Sequence, residues 1–104
     1  MTDSGMTDNA KRIKNWIRAL RSGKYRQSRL KFHGAKGGHC CLGVAQIVER
    51  LEKYEDSKTV KNRYCLTYSE INKLIKLNDN DHRSFAYIAD HIQKNILPRF
   101  LTKS

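Results

Sequence analysis

Apolar residues recur at helical spacing in four separate segments of this chain, and this pattern constrains its fold more than any other feature. In the first segment they stand at i, i+3, i+4 and i+7, which places them on one face of an α-helix. The third segment follows a capping box formed by Thr67 and Glu70, and the fourth follows Ser84 as N-cap. We therefore predict four helices with these inward-facing residues: Ile13, Trp16, Ile17 and Leu20; Val44, Ile47, Val48 and Leu51; Ile71, Leu74 and Ile75; Phe85, Ile88, Ala89, Ile92 and Ile96.

Between the first two helical patterns the apolar spacing changes to every second residue. Leu30 and Phe32 alternate with basic residues, which is typical of a short strand with one basic face. The turn-rich residues 33–38 then permit a hairpin that returns into residues 39–42. Residues 55–63 are polar and are predicted to be a connection without regular structure. The predicted fold class is α+β, with about four helices packed around one short antiparallel β-hairpin.

Length and composition bound the organisation of the chain. A sequence of 104 residues with 38% hydrophobic residues is enough for one modest core. We predict a flexible N-terminus over residues 1–7 and a single compact domain over residues 8–104. The sequence has no run of about 18 apolar residues and no pattern typical of a secretion signal. We therefore expect a cytoplasmic protein without a membrane partner.

The positive charge is concentrated in one half of the sequence. Of the net charge of +11, the stretch between Ala10 and Val48 carries ten basic and no acidic residues, whereas the rest holds eleven basic and ten acidic residues. A field of one sign attracts polyanions, so the expected partner is nucleic acid or a nucleotide, with an acidic host protein as the alternative. Solubility alone would be served equally well by charges of mixed sign.

The basic stretch offers a concrete way to bind phosphate. Guanidinium groups can grip phosphates through two hydrogen bonds, and a tyrosine can stack on a base. The glycines on both sides of Lys36 leave backbone N–H groups accessible to an anion, although they lack the spacing of a phosphate-binding loop. The candidate ligand-binding residues in this stretch are Lys14, Arg18, Arg21, Tyr25, Arg26, Arg29, Lys31 and Lys36.

His39, Cys40 and Cys41 suggest chemistry by residue type. A thiol at a helix N-terminus can be activated as a nucleophile, so a cysteine hydrolase with these three residues is an alternative function. Unpaired cysteines are nevertheless among the most buried residues, and this pair continues directly into an apolar helical pattern. Adjacent cysteines also lack the spacing of a structural zinc site. We favour a core position, with no catalytic residue, no metal and no cofactor.

Asn78 and Asp79 begin a cluster of four polar residues, the sequence NDND at 78–81. A calcium-binding loop starting at Asp79 would have Ser84 where a glycine is required and Asp90 where a glutamate is required. Short Asn and Asp side chains suit a tight turn between helices, because they bond to the local backbone. The alternative is that Asn78 and Asp79 bind a hydroxyl or base edge of a ligand.

Four motifs together resemble a family of small proteins encoded in bacteriophage genomes. They are W-x-x-A-L-R-S-G-x-Y-x-Q at 16–27, C-C-L-G-V at 40–44, L-N-D at 77–79 and S-F-x-x-I-A-D-x-I at 84–92. The resemblance covers most of the chain in the same order. It implies a context and not an activity, namely an accessory factor for host takeover or for blocking host defences, sometimes by sequestering a nucleotide signal.

Overall fold

The structure, a computed structural model, describes residues 7–34, 37–51 and 56–101, and within these ranges it is helical. None of the helices in these ranges has the length and apolar character needed to cross a bilayer. In chain order, the elements are α1 (Asp8–Arg21), α2 (Cys41–Val48), α3 (Ser57–Tyr64), α4 (Tyr68–Ile75), a π-helical segment (Lys76–Asn80), α5 (Phe85–Asn95) and a 3-10 turn (Leu97–Phe100).

Helix α1 is the centre of the packing, since it contacts α2, α3, α5 and the 3-10 turn. Its Trp16 side chain is fully buried and stacks on Tyr64 of α3, with 4.7 Å between ring centroids. The indole Nε1 donates a hydrogen bond of 3.0 Å to the carbonyl oxygen of Cys41. One side chain thus joins three helices, and the prediction that Trp16 faces the core is confirmed.

The predicted helix starts after Thr67 and Ser84 are confirmed. The Thr67 hydroxyl accepts from the Glu70 N–H at 3.0 Å, and the Glu70 carboxylate accepts from the Thr67 N–H at 2.8 Å. The Ser84 hydroxyl accepts from the N–H of Tyr87 at 3.2 Å. These caps satisfy N–H groups that would otherwise lack a partner at each helix start.

Helix α3 occupies most of the stretch 55–63, which was predicted to be a polar connection. Its described buried residues are Val60 and Tyr64, too few to produce a recognisable apolar stripe. The Asp56 carboxylate caps its N-terminus by accepting from the N–H of Lys58 at 2.9 Å. A helix this short gains most of its stability from packing, here through Tyr64. The expected count of four helices is therefore wrong.

The α+β prediction is also wrong, because the described residues contain no β-strand. Gln27 and His33 each form only an isolated bridge with His39, the first parallel and the second antiparallel. The backbone of Leu30 has a φ of 72°, a left-handed conformation that interrupts any extended run. Side chains of the π-helical segment take backbone groups that a strand ladder would have used. Residues 24–34 are a basic loop and not a strand.

Candidate functional site

A groove of about 280 Å³ lies between α1, α5 and the 3-10 turn. Ile17 and Leu97, each 5% exposed, give it an apolar floor. Basic side chains of α1 stand at its rim together with an amide from α5. We call this the α1–α5 groove, and its lining residues are Lys14, Ile17, Arg18, Arg21, Gln93 and Leu97.

The groove brings together three candidate residues that the sequence places on one face of α1. Lys14 and Arg18 have exposed side chains. Arg18 donates from Nη1 to the Asn15 side-chain oxygen at 3.0 Å, one turn earlier on the same helix. Cations in the last turn of a helix also stabilise its negative end, which applies to Arg18 and Arg21. The groove therefore combines apolar area with several hydrogen-bond donors of positive charge.

Arg21 differs from the other two because α5 holds its guanidinium in place. Its Nη2 donates to Asp90 Oδ1 at 2.6 Å and to Gln93 Oε1 at 2.7 Å. The ion pair is exposed to solvent, so its contribution to the free energy of unfolding is about 0–1 kcal/mol. Its main effect is geometric, since it orients Arg21 at the groove while reducing the local charge.

Acidic residues from outside the basic stretch compensate part of its charge. Besides the Arg21–Asp90 pair, Arg12 lies 4.0 Å from the Glu49 carboxylate, which also accepts from Arg63 at 2.7 Å. Glu49, at the C-terminal end of α2, thus lies between Arg12 of α1 and Arg63 of α3. The positive field is thus weakened near Arg12 and also near Arg21 in the groove.

The basic loop carries a second group of candidate residues. Arg26, Arg29 and Lys31 are exposed there. Tyr25 is half-buried, and its ring and the His39 ring meet at a steep angle with centroids 6.0 Å apart, so part of the Tyr25 ring is already in contact within the protein. The candidate Lys36 lies outside the described residues.

Asn78 and Asp79 are engaged in holding the fold together. Asn78 is 1% exposed, and its Nδ2 donates to the Ser28 carbonyl at 2.9 Å. Its Oδ1 accepts from Gln27 Nε2 at 2.9 Å and from the N–H of Cys41 at 3.2 Å. Asp79 Oδ1 accepts from Asn78 Nδ2 at 2.7 Å. These bonds join the basic loop, α2 and the π-helical segment, which favours the structural interpretation of the NDND cluster over ligand binding.

Both cysteines of the candidate catalytic set are buried, in agreement with the predicted core position. Cys40 is the N-cap residue of α2, and its sulfur accepts from the N–H of Gly43 at 3.4 Å. Burial raises the pKa of the Cys41 thiol, and the electrostatic influence of the neighbouring Cys40 and Asp79 side chains acts in the same direction. A nucleophilic thiol requires the opposite shift. Among the described residues, no group of three or more His, Cys, Asp or Glu side chains is arranged to hold a metal ion.

His39, the histidine of the candidate catalytic set, belongs to a histidine pair. Its Nδ1 lies 2.8 Å from Nδ1 of His33, whose Nε2 lies 2.8 Å from the Gln46 side-chain oxygen. At such a distance one Nδ1 carries a hydrogen and donates it in a hydrogen bond, and the other Nδ1 accepts that bond. The pair connects the basic loop to α2, because Gln46 is a fully buried residue of that helix.

The α5 side of the groove was not predicted from the sequence. Arg21 and Asp90 are 69 positions apart, and nothing in the local pattern connects them. Asp90, Gln93 and Leu97 do follow one another at spacings of three and four, which places them along one side of α5 and its continuation. That spacing predicts a shared side of α5 but not the helix that packs against it, so it does not predict the groove.

Together these features define a small helical domain with a cationic groove beside its first helix. Residues 8–69 match a family described as a domain of unknown function, DUF8296, and since the match spans more than half of the chain, the protein belongs to that family. The match includes α1 and the basic loop and ends in α4, so the α5 side of the groove lies beyond it. No curated protein and no solved structure gives a significant match. The bacteriophage resemblance stays a prediction.

Proposed function

We propose that this protein binds phosphate-bearing ligands without catalysis, and that nucleic acid is preferred over a nucleotide signal. The observation that carries the proposal is the α1–α5 groove, where Lys14, Arg18 and Arg21 of α1 line one side of an apolar floor. Cationic donors suit phosphate oxygens, and the floor suits the apolar faces of a sugar or base. Arg21 is already oriented by α5, which lowers the cost of ordering it on binding.

The small volume of the groove and the exposed cations outside it favour a polymer over a single nucleotide as the ligand. A groove of about 280 Å³ is at or below the lower end of the range in which small-molecule sites enclose a ligand, roughly 300–1,000 Å³. The exposed cations of the basic loop, Arg26, Arg29 and Lys31, add positive charge outside the groove. A polyanion is long enough to contact cations in two separate regions, whereas a mononucleotide occupies only one.

The biological setting is proposed from the motif resemblance alone. A phage-encoded accessory protein of this kind would act in the host cytoplasm, in host takeover or anti-defence. The same charges would also suit an acidic host protein. Pull-down from nuclease-treated host lysate separates the two partners, because a nucleic-acid binder loses its captured material when the nucleic acid is digested.

The proposal is tested by measuring binding of short duplex DNA, duplex RNA, single strands and cyclic nucleotides at low salt. We expect the polymers to bind and their affinity to fall steeply as salt rises, with a slope of about −0.9 per phosphate contacted on duplex DNA. Tighter binding of a cyclic nucleotide than of any polymer would replace nucleic acid by a nucleotide signal as the ligand. Absence of binding to every ligand at low salt would end the proposal.

A further inference from the structure

Leu30, in the basic loop, is the most exposed large hydrophobic residue of those described, with 80% of its surface accessible to solvent. It also has a φ of 72°, a conformation that leucine adopts at a cost and that glycine or asparagine adopts more easily. A residue that gains nothing from burial and strains the backbone is poorly explained by stability. Such outliers are common where a side chain is held ready for a partner.

The fold fixes the loop around Leu30. The Leu30 N–H donates to Asp79 Oδ1 at 2.9 Å, and the same oxygen is held by Asn78. Asn78 Nδ2 also fixes the carbonyl of Ser28, two residues earlier. The Ser28 hydroxyl donates to the carbonyl of Lys31 at 3.3 Å, and this bond joins the two sides of the loop tip that contains Leu30. The side chain of Leu30 is therefore displayed at the tip of a constrained loop.

The chemistry on both sides of Leu30 indicates the kind of partner. Arg29 and Lys31 are its neighbours in the chain, and both are exposed. An apolar side chain between two cations matches a duplex base step, which offers an apolar gap when unstacked and a phosphate backbone on each side. A protein partner would need an apolar pocket with acidic groups on both sides of it. A duplex offers such an apolar gap, with a phosphate backbone on each side, at every base step that can be unstacked.

We infer that Leu30 is a wedge that inserts between adjacent base pairs of a bound duplex, while Arg29 and Lys31 contact the flanking phosphates. Insertion of an apolar side chain unstacks the step and kinks the duplex. The inference rests on the proposed binding of nucleic acid and adds a mode of binding to it. The α1–α5 groove would bind backbone phosphates with or without the wedge.

The test uses a short duplex with 2-aminopurine at a flexible TA step and a fluorophore pair at its ends. Saturating wild-type protein is expected to raise the 2-aminopurine fluorescence, which reports unstacking, and to raise energy transfer between the ends, which reports bending. Leu30→Ala should abolish both changes. Leu30→Phe should retain both. Leu101→Ala, which truncates another exposed leucine, is the matched control and should behave as wild type.

The outcomes separate this inference from the proposed function. If wild-type protein binds the duplex and neither signal changes, or if Leu30→Ala produces the same changes as wild type, Leu30 is not a wedge and nucleic-acid binding still stands. If wild-type protein binds no nucleic acid, both fail. If Leu30→Ala weakens capture of an acidic host protein and leaves the duplex signals intact, Leu30 is a protein-docking residue and the wedge is wrong.

Discussion

Gly43→Ala is expected to destabilise the protein by roughly 3 kcal/mol, although alanine is the better helix former by about 1 kcal/mol. A Cβ atom at position 43 would stand 2.0 Å from the carbonyl oxygen of Phe32 and 2.9 Å from its carbonyl carbon. Both are backbone atoms, so no side-chain rotation relieves the overlap. The same Phe32 oxygen accepts from the N–H of Cys40 at 3.0 Å, and moving the loop away would break that bond.

Urea denaturation followed by circular dichroism measures this effect, with Gly23→Ala as the control. Gly23 has a φ of 75° and open space around the position of a Cβ atom, so its replacement tests backbone strain without a clash. We expect a loss of about 1–2 kcal/mol there. A Gly43→Ala protein as stable as wild type, or more stable, would show that the basic loop does not pack closely on α2.

Asn78→Ala is expected to cost about 3 kcal/mol of unfolding free energy, because truncation removes the side-chain partner of one buried and one half-buried backbone group. The carbonyl of Ser28 and the N–H of Cys41 each lose a bond to the Asn78 side chain. Gln27 Nε2 also bonds to the carbonyl of Arg83 at 2.8 Å, so it loses only one of its contacts. Hydrogen exchange should accelerate in the basic loop, where Asn78 fixes the backbone.

Asn80→Ala is the matched control for Asn78→Ala. Both are asparagines of the π-helical segment, but Asn80 is exposed and Asn78 is buried. Replacement of Asn80 should change the unfolding free energy by no more than about 0.5 kcal/mol. Equal stability of the two variants would mean that the buried amide network does not hold the loop.

Much of the helical framework could be predicted because its signals are local. The apolar spacing of α1, α4 and α5, the capping box at Thr67 and the cap at Ser84 each depend on residues within about two turns of one another. Helix α3 was missed because its stability depends on Tyr64 packing against Trp16, a contact between distant parts of the chain. Periodicity carries no information about such contacts.

The basic loop was mistaken for a strand for a related reason. The alternation of Leu30 and Phe32 is a real pattern, but alternation alone does not form a ladder. The conformation is decided by Asn78 and Asp79, whose bonds to the loop span 49 to 51 positions. Of the groove, the cationic side was predictable from the spacing on α1, whereas the side contributed by α5 depends on how the helices pack.

The most direct test of the central claim is the salt dependence of duplex DNA binding by the double variant Lys14→Ala/Arg18→Ala. Both side chains line the α1–α5 groove, and Arg21 with its α5 partners is left intact. Lys58→Ala/Lys73→Ala removes two exposed charges elsewhere and is the control for net charge. We predict that the groove variant lowers the magnitude of the salt slope by about 1.8 and weakens low-salt binding about tenfold or more, while the control stays close to wild type. Equal slopes and affinities for the two variants would contradict the claim that the groove binds phosphate.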